Sequence, residues 1–429
     1  MTNDAPRRAG SIQKTLGGIE TASTTVNAWI TSRHSESNHN DTAVPAPVPS
    51  SPRAANGSAK KSRRRSTPKP YDSGSLGLWQ DMYTMRWMRV PESSLKMLTI
   101  PILLWGNWEL VSLIWPMPIP NPFSRLLFID HPIQSESGPV LYRKGYNDFF
   151  FLTYWVVCFS FIRLFWTVYV LHPMARYFGI RSQGKIIRFG EQGYAVIYFT
   201  AMGSLGLYVM SQLPTWYFNC APQWSEYPQW KMTPALKTYY LLHFAYWLQQ
   251  FLVLALRLEK PRRDYTELVV HHFVTLWLIG WSYLINLTWI GNLVYLTMDW
   301  SDVFLAFAKN LNYLQLETAS AVAFGIFTIV WTYTRHWLNI YLLWSVWTEF
   351  DLIPAWAQKW SPEEGVWLVW WMKYQIWAPI MLLQIVNLFW YYRILRILYR
   401  AVFFSALSDD RSDDEDDGED DTETDKKND

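Results

Sequence analysis

From about residue 95 the chain is a succession of long apolar, aromatic-rich runs separated by short polar breaks. The runs fall at 95–115, 149–171, 193–212, 237–256, 268–287, 290–308, 318–345 and 375–400. As helices rising ~1.5 Å per residue, they match an apolar membrane core of ~30 Å. The pattern predicts an all-α polytopic membrane protein with about eight transmembrane helices. The first run is the weakest, because it holds Pro101, Asn107 and Glu109, and a re-entrant or interfacial segment is its alternative. The last ends in Arg393, Arg396 and Arg400, which suits a helix leaving the bilayer.

The ends of the chain read differently. Residues 1–75 are rich in Ser, Thr, Pro, Ala and Asn and contain the basic run Lys60-Lys61-Ser62-Arg63-Arg64-Arg65. Residues 404–429 carry Asp409-Asp410 and a nearly unbroken acidic run from Asp413 to Asp421. Both are expected to be disordered, solvated cytosolic tails. They explain why the mean hydropathy is only −0.05 although the chain holds 27 Trp, 25 Tyr and 23 Phe. Between them the division is 76–180, an N-terminal membrane region with two spans, and 181–403, six spans carrying the chemistry. With the bulk of the chain in lipid, the basic run is not read as nucleic-acid binding.

Positive charge sets the orientation. Arg176, Arg181, Lys185 and Arg188 crowd one loop and Arg257, Lys260, Arg262 and Arg263 another, whereas 213–236 and 346–374 carry few bases. Both basic loops and both termini are therefore expected in the cytosol. No cleaved signal peptide is apparent, and Cys158 and Cys220 suggest neither a disulfide framework nor a zinc pattern. Asn40, Asn56 and Asn286 stand in Asn-x-Ser/Thr sequences, the first two in the tail and the third in a short turn, and none is expected to be glycosylated.

Candidate chemistry sits in the fifth and sixth runs. His271 and His272 interrupt one, Asp299 and Asp302 the next. Ionisable groups at such depth are costly and by default point to function. If the two runs are antiparallel neighbours, His272 and Asp302 lie ~6 and ~9 Å from the same end. Asp299 and Asp302, three apart, share a helix face, while the adjacent imidazoles diverge by about 100° and must differ in role. An imidazole beside a carboxylate suits a general base or an activated nucleophile. Metal binding is a rival use, but adjacent His fit it poorly, since helical His ligands usually stand four apart. The bland alternative is polar hydrogen bonding between helices. Lys260, Arg262 and Arg263, with Arg188 and Lys309, could hold phosphorylated groups at the mouth of such a site, or merely obey the positive-inside rule. Arg335 and His336 sit deep in the seventh run, and Arg335 is expected to bond to backbone carbonyls or lipid head groups rather than join the chemistry.

The segment Glu259-Lys260-Pro261-Arg262-Arg263-Asp264-Tyr265-Thr266-Glu267-Leu268-Val269-Val270-His271-His272, followed by Thr275, Ser282-Tyr283, Gly291, Met298-Asp299-Trp300-Ser301-Asp302, Lys309 and Asn312-Tyr313, resembles the Lag motif of ceramide synthases. Arg188-Phe189-Gly190-Glu191-Gln192-Gly193-Tyr194 resembles the start of their TLC domain. Trp216-Tyr217-Phe218-Asn219, Tyr246-Trp247-Leu248-Gln249-Gln250 and Arg335-His336-Trp337-Leu338-Asn339 look like the fungal branch. The resemblance spans roughly residues 100–400 and implies a six-span TLC bundle or barrel behind two N-terminal spans. It implies an endoplasmic-reticulum N-acyltransferase that joins a fatty acyl group from acyl-CoA to a sphingoid base such as sphinganine or phytosphingosine. His271, His272, Asp299 and Asp302 match the family's catalytic positions. No metal or cofactor is implied beyond acyl-CoA as co-substrate, and the implied partners are membrane lipids and either a small single-span accessory subunit or a second copy of the chain. Either route remains open, a base acting on the sphingoid amine or an acyl-imidazole that the amine resolves.

The chain departs from the best-known fungal members between Trp347 and Lys373, which is rich in Trp and lacks their Cys-containing segment, so acyl-chain length is not legible. The terminal Lys426-Lys427-Asn428-Asp429 resembles a cytosol-read retrieval signal of the endoplasmic reticulum. Ser412, and more weakly Ser408, lead acidophilic kinase patterns. Two other functions compete: a non-catalytic TLC protein that binds lipid, and a transporter with a His/Asp proton relay. The latter should show internal repeats, and none is evident.

Overall fold

The structure is a computed structural model that describes residues 74–115, 119–134, 138–258 and 264–404. Residues 1–73 and 405–429 of the tails expected to be disordered, with Ser408, Ser412 and the terminal lysines, lie outside the described residues, as do Lys260, Arg262 and Arg263.

Every apolar run is helical. Short helix α1 (Leu78–Tyr83) leads to α2 (Pro91–Ile114); a loop with α3 (Ser124–Leu127) and a two-residue hairpin, Pro132–Ile133 against Leu141–Tyr142, follow. Then come α4 (Asp148–Phe165), continued through a π-helical turn, Trp166–Leu171, into α5 (His172–Tyr177), and α6 (Gln183–Ser211). After α7 (Ala221–Ser225) stand α8 (Pro234–Ala255), α9 (Tyr265–Leu284) and α10 (Thr288–Tyr313). Helix α11 (Glu317–Trp331) passes through a second π-helical segment, Thr332–Leu338, into α12 (Asn339–Thr348), and α13 (Met372–Phe404) closes the described chain. Among the described residues, four helices are long and apolar enough to cross a membrane by themselves: Pro91–Ile114, Asp148–Tyr177, Gln183–Ser211 and Met372–Arg400. The chain is thus a membrane protein with several apolar helices. Helices α8, α9 and α10 carry His, Gln, Asn and Asp, and most of these are buried inside the bundle.

Local sequence explains the joints. Thr233 caps α8, its hydroxyl accepting from the Leu236 amide at 3.2 Å, and Pro234 occupies the first turn, where no amide hydrogen is needed. Helices α6 and α10 lie side by side along much of their length. Small residues permit the approach: a side chain at Gly206 would come within 2.9 Å of Leu296, and one at Gly203 within 3.4 Å of Trp300. The largest core packs α4, α6 and α8 together through Phe159, Tyr198, Phe199, Tyr246 and Trp247.

One end of the bundle holds the start of α9 and the end of α10; the other holds the turn between them. At this second end, buried Lys237 pairs with Asp148 at 2.8 Å and donates to the carbonyls of Asp130 and Arg143, tying the hairpin loop to α4 and α8. The Trp-rich stretch after α12 packs there too. Tyr227 donates to the Ile285 carbonyl at 3.0 Å and accepts from the Trp367 amide at 3.0 Å. The side-chain amide of Asn286, the group a glycan would need, is buried and donates to the Gly365 carbonyl at 2.8 Å.

Candidate active site

Helix α9 carries His271 and His272, and both are buried. The His272 Nδ1 stands 2.8 Å from the Leu268 carbonyl one turn back. A carbonyl only accepts, so Nδ1 bears the proton and Nε2 is the basic nitrogen of the neutral ring. The His271 Nδ1 is buried without a hydrogen-bond partner. Its ring is set edgewise against Trp390 of α13 at 5.3 Å and Trp247 of α8 at 5.8 Å, and Trp247 meets His272 in the same way at 5.5 Å. Two indoles thus fix two imidazoles. Trp390 is itself held by Asp264, which accepts from its indole nitrogen at 3.3 Å.

The two carboxylates of α10 have different surroundings. Asp299 is completely buried, and the nitrogen nearest to it belongs to a third histidine: His243 Nε2 of α8 lies 3.0 Å from Asp299 Oδ2. The ring N–H points off the line to the oxygen, so neither carboxylate oxygen receives an aligned hydrogen bond. Asp302 instead accepts from Arg335 at 2.6 Å. The guanidinium also donates to Ser301 Oγ at 2.6 Å, to the Met298 carbonyl at 3.1 Å and to Asn387 Oδ1 at 3.2 Å, and it covers the face of Trp331 at 4.2 Å. Arg335 does meet a backbone carbonyl, as the sequence suggested, but its strongest partner is a candidate catalytic carboxylate. The π-helical segment makes this possible by burying Thr334, Arg335, His336 and Leu338 together.

An apolar cavity, partly open to its surroundings, runs between α9, α10 and α13. His271 and Asp299 both line it. Below them the wall is Leu278, Ile279, Ile290, Val294, Ile376 and Leu383, and Ile285 and Leu287 of the α9–α10 turn reach its far end. From His271 to Ile285 the helix climbs ~21 Å. His272 and Asp302 lie outside this wall. The four residues singled out in the sequence are therefore divided: one imidazole and one carboxylate at the cavity, one imidazole bonded to its own helix, and one carboxylate paired with arginine. Among the described residues, no three His, Cys, Asp or Glu side chains converge as metal ligands would.

Of the candidate phosphate-binding residues, Arg188 near the start of α6 and Lys309 near the end of α10 belong to the His-pair end of the bundle, and Arg188 pairs with Glu191 at 3.3 Å. His243, Trp247 and Trp390 were not singled out as site residues. His243 had a signal, an ionisable group inside the apolar run from Tyr239 to Trp247, the same anomaly that marks the His pair.

Known proteins match this chain. A family model described as the TLC domain matches residues 188–396. Sphingosine N-acyltransferase lac1 of Schizosaccharomyces pombe is 41% identical over 305 residues, covering 69% of this chain and 77% of that protein. Ceramide synthase LAG1 of Saccharomyces cerevisiae is 38% identical over 291 residues, covering 68% and 69%. Ceramide synthase 4 of Bos taurus is 29% identical over 212 residues, about half of each chain (49% and 50%). The extent of these matches, across the helices that hold the buried His and Asp residues, means that the chain belongs to the TLC-domain family of sphingosine N-acyltransferases, the ceramide synthases.

Proposed function

We propose that this protein N-acylates a sphingoid long-chain base with a fatty acyl group from acyl-CoA, in the endoplasmic-reticulum membrane, through eight spans with both termini cytosolic. The observation that carries the reading is the sharing of one apolar cavity by His271 and Asp299. Membership of an acyltransferase family supplies the reaction class.

The substrates demand what that cavity offers. A sphingoid amine is an ammonium at neutral pH, and a buried carboxylate without an aligned donor is costly until a cation meets it. Asp299 receives the ammonium. His271 then takes one N–H proton, and the amine nitrogen attacks the thioester carbon. The C–N bond forms, the C–S bond breaks, and the second amine proton passes to the departing thiolate, leaving ceramide, CoA thiol and a protonated His271 that loses its proton to water. His272, bonded to its own helix, holds the first turn of α9, and Asp302 with Arg335 locks α10 to the π-helical segment. The apolar wall below the pair suits a hydrocarbon chain, and basic groups, Arg188 and Lys309 at the His-pair end together with Lys260, Arg262 and Arg263 of the sequence just before α9, suit the CoA phosphates.

The test is to express the chain in cells lacking endogenous ceramide synthase and supply their membranes with a sphingoid base and a panel of acyl-CoAs. Ceramide should form from at least one donor, and His271→Ala should abolish it at an unchanged protein level. Folded protein that makes none from any donor overturns the reading and favours a non-catalytic lipid-binding role.

A further inference from the structure

We propose that His243 is a positioning residue for the acyl transfer, acting through Asp299; this rests on the function proposed above. Its imidazole is completely buried in α8, in a place where an ionisable ring is expensive to keep. Nε2 stands 3.0 Å from Asp299 Oδ2. The ring is held from three sides. It stacks on Tyr295 of α10 with centroids 4.2 Å apart and planes 11° apart, Tyr239 meets it edgewise at 4.8 Å, and the Tyr198 hydroxyl of α6 lies 3.4 Å from Nδ1.

These contacts agree on one tautomer. When the Tyr198 hydroxyl donates to Nδ1, the ring proton resides on Nε2, the nitrogen beside the carboxylate. Asp299 lines the cavity and His243 does not, so the imidazole supports the carboxylate from behind. The order is Tyr198, His243, Asp299, then substrate. A small rotation of the carboxylate aligns the N–H with Oδ2 and leaves the other oxygen turned to an incoming ammonium. Without this support a buried carboxylate flanked by aromatic rings has no reason to keep one orientation, and the amine is presented to His271 in several poses, few of them productive. No proton transfer is assigned to His243; its work is a hydrogen bond.

This distinguishes it from a proton carrier. Glutamine places an amide N–H where Nε2 was but carries no proton between partners. Ceramide formation is measured with wild type, His243→Leu, His243→Gln and Tyr198→Phe in membranes lacking endogenous activity, with protein levels and melting recorded for each. His243→Leu is expected to lower kcat about tenfold to a hundredfold, the worth of a hydrogen bond to a charged group, with KM for acyl-CoA unchanged. His243→Gln restores most of the loss. Tyr198→Phe, which keeps the ring and removes only the hydroxyl, lowers kcat by a few-fold and gives the readout if the leucine variant does not accumulate. Wild-type kcat in folded His243→Leu overturns the proposal, as does His243→Gln as inactive as His243→Leu, or unchanged kcat in Tyr198→Phe. Wild-type protein that makes no ceramide overturns the functional reading itself, a distinct outcome.

Discussion

Removing the Arg335 guanidinium should cost more in stability than any other single side-chain change at the site. In Arg335→Leu, the Asp302 carboxylate loses its 2.6 Å partner, and Ser301 Oγ, the Met298 carbonyl and Asn387 Oδ1 each lose a donor. Breaking a buried ion pair from one side costs about 3–5 kcal/mol, because the remaining charge stays desolvated. The Asp302 side chain is 22% exposed, so some solvent reaches it and the lower figure, about 3 kcal/mol, is expected. Neutralising the stranded charge should recover part of this. Asp302→Asn combined with Arg335→Leu should melt above Arg335→Leu alone, with a coupling of about 2 kcal/mol between the positions. Tryptophan fluorescence during heating of the purified, detergent-solubilised protein reads all three. The order wild type, double variant, Arg335→Leu is the expected one. An Arg335→Leu protein that melts with the wild type, or a double variant less stable than the single, is incompatible with a buried Arg335–Asp302 pair of this strength. The same pairing implies that Asp302→Ala lowers protein level as well as activity, whereas His271→Ala, which removes a ring with an unpartnered nitrogen, leaves the level intact.

Three further outcomes follow from other parts of the molecule. Gly291→Ala would set a methyl group 2.6 Å from the buried Tyr240 ring, which is stacked on Tyr283 and has nowhere to move; overpacking of about 1–3 kcal/mol should exceed any gain in helix propensity and appear as a lower melting temperature. Burial pushes the Cys220 thiol up to about 12, so at pH 8 roughly one part in ten thousand is thiolate and N-ethylmaleimide should label it only after denaturation; rapid labelling of native protein contradicts the packing of that loop. Burial of Asp81 opposes its ionisation, but hydrogen bonds from the Ser75 and Ser93 hydroxyls and the Leu76 amide, with the Arg86 charge, outweigh it and hold the carboxyl below its usual range. A lowered native pKa stabilises the fold above the unfolded value and is lost as pH falls through the native one. The melting advantage of wild type over Asp81→Asn should therefore be full at neutral pH and shrink under acid, and a difference that grows on acidification would refute it.

Much of this structure was legible in the sequence, and the gaps have a physical pattern. Apolar runs gave every major helix, because length and hydropathy depend on residues near in the chain. The π-helical segments at Trp166–Leu171 and Thr332–Leu338 were not legible, since they are settled by packing against neighbours rather than by local propensity. The His and Asp residues stood out for their depth, yet their partners did not. Helical spacing relates Asp299 to Asp302 on α10 but says nothing of which neighbouring helix each side chain meets. That is set by how α8 and the π-helical segment flank α10, which gives Asp299 to His243 and Asp302 to Arg335. His243 is a lone imidazole without a second His or a carboxylate in its run, so its sequence signal is weaker than that of the His pair, although the cost of burying it is the same.

The proposed pairing of Asp299 with His271 at the cavity underlies the whole of the chemistry. It is tested most directly by the initial rate of ceramide formation by purified wild-type and Asp299→Asn proteins at saturating acyl-CoA, with the sphingoid base varied and melting recorded for both. Asparagine keeps the shape and removes the charge proposed to receive the ammonium. A folded variant is expected whose rate falls to background at every concentration of base; a folded Asp299→Asn protein with wild-type kcat and KM would overturn the proposed pairing.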